Sequence, residues 1–502
     1  MIEREVKLSA ATGFRVPTLD DAVAGLHCGD GVEHRFDATY FDAADIRLGR
    51  MGITLRHRSG EGGPRGRWTL KVPVDPDATG PVIARHEIIK DAASQQVPSD
   101  LLKVVRAVLR GAELLPVAHL RTTRRLVPLL VGDVHIGDVC DDAVTVVEGA
   151  RVRARFRELE VEVTADAPDY LLDATVSRLR EAGASDPAAM TKLARAAGPR
   201  AHIPPDPLVP IVDPNSRTDV AVQAALAADV HRLIAFVPLV FVDPTVEVVH
   251  QARVATRRLR SHLRTFEVLL EPAPAKSLSD ELRWLAEPLG NVRDHDVFLN
   301  RLTGYHGFVD PVDQDALAGL IARFAERRAP ALAELQRALS SKRAATLLDA
   351  AVAFSIQPPL TADADRSAAQ TFSALARTAF DRLDRRARKL NDDSPIETLH
   401  ELRIIAKRAR YATDSAVAAV PEASEQAKAL ARLQEVLGDL HDTSIVEHAL
   451  RAEMPDMTLD EAFVTGLIVA AERHAASIFR TDWQQPWRRA RRRRTRAWLH
   501  PR

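Results

Sequence analysis

The chain has 502 residues, 46% of them hydrophobic and 27% charged, with 69 basic side chains against 69 acidic ones. At about 150 residues per domain this is room for roughly three domain-sized units. The balanced charge argues against a bulk nucleic-acid coat, and the composition is not that of a disordered or collagen-like chain. Two cysteines, Cys28 and Cys140, cannot build a disulfide framework and lack the spacing of a structural zinc site, so both are expected reduced. The opening MIEREVK puts charges where a secretory signal has its apolar core, and the longest apolar run, LIAFVPLVFV at 233–242, is far short of a bilayer span. A cytoplasmic protein without membrane insertion is expected.

Residues 1–165 contain short alternating segments, among them IEREVKL, GITLRHR, RWTLKVP, ARHEI and RFRELEVEV, punctuated by Gly, Asp and Pro. Their period of two predicts an antiparallel sheet or barrel, with helices only near 98–111 and 168–183. Residues 197–214 hold six prolines and read as a stiff linker. Beyond it, the chain to about residue 480 is rich in Ala, Leu, Arg and Glu at helical spacing, with a break near 355–366.

This helical half repeats itself. HQARVATRRLR begins at His250 and HELRIIAKRAR at His400, while EPLGNVRDHD contains Gly290 and EVLGDLHDTS contains Gly438. The near-equal offsets predict two copies of one helical-bundle unit packed as a pseudo-symmetric pair. After Asp482 no acid follows, but eight arginines do. Such a basic tail suits DNA, membrane phosphate or polyphosphate, or a disordered end without a dedicated role.

The strand pattern carries chemistry. Glu3, Glu5 and Lys7 share one face of the first strand, with Ile2, Val6 and Leu8 on the other. Arg56 and Arg58 repeat the charged alternation, Lys71 sits on the next strand, Arg85 and Glu87 on another, and Glu158, Glu160 and Glu162 project together. One such strand is a solvated edge; five imply a closed sheet with a polar interior, because neighbouring carboxylates repel unless cations lie opposite. Its basic part suits an oligophosphate, gripped by Lys and Arg, and its acidic part suits Mg²⁺ or Mn²⁺. The arginines at 151, 153, 155 and 157 have the opposite parity and are expected outside. No GxxxxGK[ST] loop and no GxGxxG motif opening a βαβ unit is present, and His57 and His135 are not needed as catalysts.

The ordered set Glu3-Arg4-Glu5-Val6-Lys7, Tyr40-Phe41-Asp42, Thr54-Leu55-Arg56-His57-Arg58, Leu70-Lys71, Arg85-His86-Glu87, Asp138, Glu158-Leu159-Glu160-Val161-Glu162 and Thr191-Lys192 resembles the CYTH superfamily, the triphosphate tunnel metalloenzymes. The resemblance implies an eight-stranded antiparallel tunnel that hydrolyses a terminal phosphoanhydride with Mg²⁺ or Mn²⁺. It assigns Glu3, Glu5, Glu158, Glu160, Glu162 and Asp138 to the metal and catalytic side. Lys7, Arg56, Arg58, Lys71, Arg85, Arg124 and Lys192 fall on the triphosphate track, Lys192 following Met190-Thr191 where the family often has a Ser-Lys pair.

In the helical half, His250, Arg253, Arg257, Arg260 and Arg264 form one stripe along a helix, and His400, Arg403, Lys407 and Arg410 repeat it. Like charges at this spacing call for a counter-anion. Asp294 and Asp442, after the repeated LG pairs, are read as clamps for the basic side chains. These segments resemble the conserved histidine α-helical (CHAD) domain, which implies two four-helix bundles, a basic channel for long-chain inorganic polyphosphate and association with polyphosphate granules. Nucleic acid is the weaker ligand: aromatic residues are only 5% of the chain and no RNP, KH or zinc-finger pattern occurs.

The expected protein is a multidomain α+β hydrolase. A CYTH tunnel domain spans 1–197, a proline-rich linker 198–214, a CHAD domain 215–485 in two copies (about 215–350 and 367–485), and a basic tail 486–502. Its expected activity is metal-dependent hydrolysis of inorganic tripolyphosphate, coupled to polyphosphate binding. The alternatives are a nonenzymatic polyphosphate-binding or granule-associated protein, and a thiamine or nucleoside triphosphatase.

Overall fold

The computed structural model describes residues 2–500 apart from 21, 61–65, 79–81, 93, 95, 165–166, 188–190, 362–364 and 392–393, and at position 3 the backbone only. It forms two compact units, residues 1–206 with 234–244, and 207–233 with 245–502.

The first unit is built on nine strands: β1 (Ile2–Ala10), β2 (Leu26–Cys28), β3 (Val32–Asp42), β4 (Thr54–Ser59), β5 (Arg67–Pro73), β6 (Val82–Asp91), β7 (Leu115–Val131), β8 (Val134–Glu148) and β9 (Arg151–Val163). Eight of them run antiparallel in the order β7-β3-β4-β5-β6-β1-β9-β8, and β8 returns to β7 to close a barrel; β2 is a short addition to β7. Closure leaves the ring no free edge. Registers of Lys7 with Glu160, Glu5 with Glu162, Lys71 with Glu87 and Asp142 with Glu158 put these charges on one face. The other face of β1 and β9 is apolar: Val6, Leu8, Leu159, Val161 and Val163 pack with Leu171, Leu172, Val176 and Leu179.

Four helices punctuate the N-terminal part of this unit: α1 (Arg47–Arg50), α2 (Ser99–Leu109), α3 (Asp169–Glu181) and α4 (Lys192–Ala197). The apolar stripe of α3 supplies the outer cover just described. α4 sets Leu193 against the inward-facing Ala38, Leu120 and Val144, giving the interior an apolar floor. Thr191 caps α4 by accepting the Ala194 N–H at 3.0 Å, so threonine serves where the family often has serine.

The remaining chain is helical: α5 (Thr218–Phe236), α6 (Leu239–Val242), α7 (Val246–Thr265), α8 (Pro272–Thr303), α9 (Gln314–Leu339), α10 (Lys342–Ile356), α11 (Ala368–Ala387), α12 (Ile396–Ala416), α13 (Ser424–Glu453), α14 (Leu459–Asp482) and α15 (Gln484–Ala490). α7 packs on α8 and α8 on α9; α12 packs on α11 and α13, and α13 on α14. α7 also packs on α12, and α9 on α14. The segment 234–244, read from sequence as part of the helical domain, groups with the first unit because α6 packs on α2.

The longest unbroken apolar run is short, but two whole helices pass a cruder test. Thr218–Val242 and Leu459–Ala490 are long and apolar enough by length and composition, because helical hydropathy averages over interruptions that end an unbroken run. The first buries 67% of its most apolar window inside the protein. The second is only 28% buried there, but its Glu472 and Glu461 are paired with Arg301 on α8 and Arg323 on α9.

The tail is also not a disordered end. Trp487, Trp498 and Leu499 are buried, Trp498 Nε1 donates to Gln426 Oε1 at 2.9 Å, and Arg489 and Arg491 pair with Glu425 and Asp384.

Candidate functional site

The barrel interior holds a polar cavity of about 190 Å³. Strands alternate, so every second residue of β4, β5, β6 and β9 faces it. Arg56 and Arg58 come from β4, Lys71 from β5, Arg85 and Glu87 from β6, Lys7 from β1, Arg124 from β7, and Lys192 from the first turn of α4. All seven residues assigned to the triphosphate track therefore line one cavity. Arg151, Arg153 and Arg155 are exposed, in keeping with their parity, and Arg157 turns to Asp141.

The carboxylates divide by environment. Glu160 is the hub: Lys7 and Arg124 are bonded to it, and Lys192 Nζ lies 2.6 Å away. Burial works against its charge, but Lys192, Lys7 and Arg124 together hold it well below the usual carboxylate range. Glu5 is fully enclosed; burial raises it, yet the charge of Lys7 leads the cations that bring it below its ordinary value. Lys7 Nζ stands 3.0 Å from Glu5, but neither Glu5 oxygen accepts a hydrogen bond. Glu162 faces Arg124 at 3.7 Å. Oxygens of Glu5, Glu160 and Glu162 lie within 4.8 Å of one another, and this cluster could hold a divalent cation. Buried oxygens without a hydrogen-bond donor beside two further carboxylates suit a hard cation.

Two assigned carboxylates stand elsewhere. Glu158 is fully buried between Lys192 at 2.8 Å and Arg195 at 3.5 Å, so it holds α4 rather than lining the cavity. Asp138 is bonded to His135 at 3.0 Å and does not line the cavity either. The side chain of Glu3 lies outside the described residues.

Sequence reasoning missed Asp142. It takes Arg124 by two hydrogen bonds of 2.8 and 2.7 Å and stands 2.9 Å from Lys192, positioning both cations. The alternation Asp138, Cys140, Asp142 opposite the glutamates was the available signal, obscured by the cysteine in its middle. Cys140 is free and buried, and burial pushes its thiol far up. Tyr40, part of the ordered motif set but given no role from sequence, accepts from Arg56 Nη1 at 3.3 Å inside the cavity. His57 points outward, packing on Trp68 at 5.2 Å and meeting the Ala92 carbonyl.

In the helical unit, Arg253, Arg257, Arg403 and Lys407 come within electrostatic reach of one another where α7 crosses α12. Burial is the first cause that lowers Arg253, Arg403 and Lys407, and the neighbouring arginines add to it. Asp294 reaches Arg253 at 3.4 Å; burial raises Asp442, with Arg403 the foremost cation opposing that. His400 Nδ1 meets His441 Nδ1 at 3.2 Å, whereas His250 lies near Arg293. Arg257, Arg260, Arg264 and Lys407 line a groove of about 830 Å³. Arg410 does not line it and pairs with Asp414 at 3.3 Å. Arg382 and Arg408, absent from the sequence reading, do line it.

A closed eight-stranded β-barrel with cations and a carboxylate cluster inside, followed by a large, mostly helical region, defines the class. The chain matches the CYTH domain family over residues 1–197 and the CHAD domain family over 224–451. It belongs to the bacterial CYTH–CHAD proteins, with an N-terminal CYTH domain followed by a C-terminal CHAD domain. It is 30% identical to uncharacterized protein Rv2226 of Mycobacterium tuberculosis, over 97% of this chain and 96% of that one. Among solved structures it is similar to the CHAD domain from the plant Ricinus communis, at 24% identity, 58% of this chain, 96% of that chain and TM-score 0.48. It is also similar to HpAC1 from Hippeastrum, described as having a dominant triphosphatase activity, at 19% identity, 39% of this chain, 94% of that chain and TM-score 0.27. The tunnel domain is consistent with the CYTH triphosphatase and cyclase superfamily.

Proposed function

We propose that the tunnel hydrolyses the terminal phosphoanhydride of inorganic tripolyphosphate with Mg²⁺ or Mn²⁺, and that the helical domain binds long-chain inorganic polyphosphate. The observation that carries the reading is the convergence of Arg56, Arg58, Lys71, Arg85, Arg124 and Lys192 on one small cavity that Glu160 and Glu162 also line.

Glu5, Glu160 and Glu162 are the residues that would hold the metal. A divalent cation there would neutralise phosphoryl oxygens and lower the pKa of a water. The chain's own groups do the rest. The arginines grip phosphate oxygens in pairs, and Lys71 and Lys192 add point charges. Lys7, Lys192 and Arg124 are shared between Glu160 and the incoming triphosphate, so binding of phosphate loosens their hold on that carboxylate. Water then forms a bond to the terminal phosphorus as its bridging P–O bond breaks, yielding phosphate and pyrophosphate.

The size of the cavity supports an inorganic substrate. Among the described lining residues Tyr40 has the one aromatic ring, and its hydroxyl is tied to Arg56, so no stacking platform for a base is provided. Initial rates on tripolyphosphate, ATP and thiamine triphosphate test this. The highest kcat/KM is expected for tripolyphosphate, and a preference for either larger substrate would contradict the assignment. Polyphosphate binding by the helical domain would place the enzyme at cytoplasmic granules.

A further inference from the structure

The duplication lets side chains of α5 and α7 be compared with their counterparts 150 positions on, in α11 and α12. The offset that pairs His250 with His400 also carries α5 into α11: buried Val222, Leu226, Val230 and Leu233 correspond to buried Phe372, Ala376, Phe380 and Leu383. The counterparts Arg217 and Ser367 meet each other in an isolated bridge.

Several differences between these helix pairs change charge, and two of them bear on ion pairs beside the cation stripes. Asp229 on α5 corresponds to Ala379 on α11, and Asp414 on α12 corresponds to Arg264 on α7. On the face that keeps the carboxylates, Asp229 is 2.8 Å from His262 and 3.1 Å from Arg258, and Asp414 holds Arg410. On the duplicate face Arg260, Arg264, Arg382 and Arg408 line the open groove, and none is within ion-pair distance of a carboxylate among the described residues. Glu267 is the only described carboxylate in the lining. The Nε atoms of Arg260 and Arg408 are buried without a hydrogen-bond partner. Burial, and then Arg264 and Arg382, weaken the hold of Arg408 on its proton, which is the mark of cations lacking a counter-charge.

We propose that a polyphosphate chain engages the helical domain on one of its two duplicated faces only, the face of Arg260, Arg264, Arg382 and Arg408, and that Asp229 and Asp414 shut the other. The proposal rests on the polyphosphate binding read above and adds its side. It brings Arg382 and Arg408 into the contact set and removes Arg410. A polyanion on the open face neutralises charges that now repel; on the shut face it must break existing ion pairs and approach two carboxylates.

A matched pair of surface substitutions in the full chain tests this. Thr378 on the open face and Ala228 on the shut face are counterparts, and both are exposed. Thr378→Asp and Ala228→Asp add the same charge to the same position of each copy. With long-chain inorganic polyphosphate as the probe, Thr378→Asp is expected to weaken binding about tenfold, and Ala228→Asp by less than about twofold. Equal losses, or the larger loss in Ala228→Asp, overturn the one-sided arrangement while leaving polyphosphate binding intact. No binding by the unaltered chain overturns both that arrangement and the reading beneath it.

Discussion

Asp142 on β8 takes Arg124 on β7 with both carboxylate oxygens, at 2.8 and 2.7 Å, and the same carboxylate stands 2.9 Å from Lys192. Removing it leaves two buried cations to share Glu160 and Glu158. Asp142→Ala is therefore expected to destabilise the tunnel domain by about 3 to 5 kcal/mol, the usual result of stranding one partner of a buried pair. Asp142→Asn, which still offers an acceptor, should lose less. Denaturant midpoints of the two variants check this order, and equal midpoints for Asp142→Ala and the unaltered chain would contradict it.

A second prediction concerns the turn beneath α4. Asp42 is fully buried and accepts the N–H groups of Ala43, Leu48 and Gly49 at 2.7, 2.9 and 2.8 Å. It thereby holds the turn in which Ile46, a buried β-branched residue, adopts a left-handed φ of 60°. That turn lies against Leu193, next to Lys192: a Cβ added at Gly49 would come within 3.3 Å of the Leu193 side chain. Asp42→Ala leaves three buried donors unmet, and at about 1 kcal/mol or more for each the loss should reach about 3 kcal/mol. Thermal unfolding reads the stability, and lowered phosphate release by the still-folded fraction reads the displaced Lys192.

The helical groove predicts a pH dependence. Burial first, then Arg403, Arg257 and Arg253, depress Lys407 to about 7. The polyanion binds the charged form, whereas the free protein gives up that proton as pH rises through about 7. Polyphosphate affinity should therefore fall between about pH 6 and 8, and Lys407→Arg, which keeps its charge, should flatten that slope. Between the folded value and the ordinary 10.5 the unfolded chain holds the proton that the folded chain lacks, so this lysine makes stability rise with pH in that window. An unchanged slope in Lys407→Arg would sink the assignment.

The tail should behave as core. Trp498 is buried and bonded to Gln426. Trp498→Ala is expected to destabilise the helical domain by about 3 kcal/mol or more, as large-to-small changes of buried aromatics do. A polyphosphate-binding tail without packing would tolerate the change, with affinity altered and the unfolding midpoint unmoved.

The tunnel was legible because period-two charge on several strands has few physical explanations, and because parity alone separated Arg56 and Arg58 from the exposed Arg151 and Arg153. What escaped was pairing across strands. Register, which no single segment encodes, puts Asp142 opposite Glu158 and turns the Glu158 side chain toward α4. In the helices, spacing gave the stripe but not its end: Arg410 keeps the periodicity, yet Asp414 one turn later captures it. The arginine-rich tail read as a charge run because its tryptophans, the residues that pin it, are few.

The most direct test is phosphate release from tripolyphosphate by the purified full chain with Mg²⁺, with Mn²⁺ or with chelator, beside a Glu5→Gln/Glu162→Gln variant. The account predicts release that requires a divalent metal and is lost in the folded variant. Metal-independent release, equal release by the variant, or none from the folded unaltered chain would contradict a triphosphatase in the tunnel.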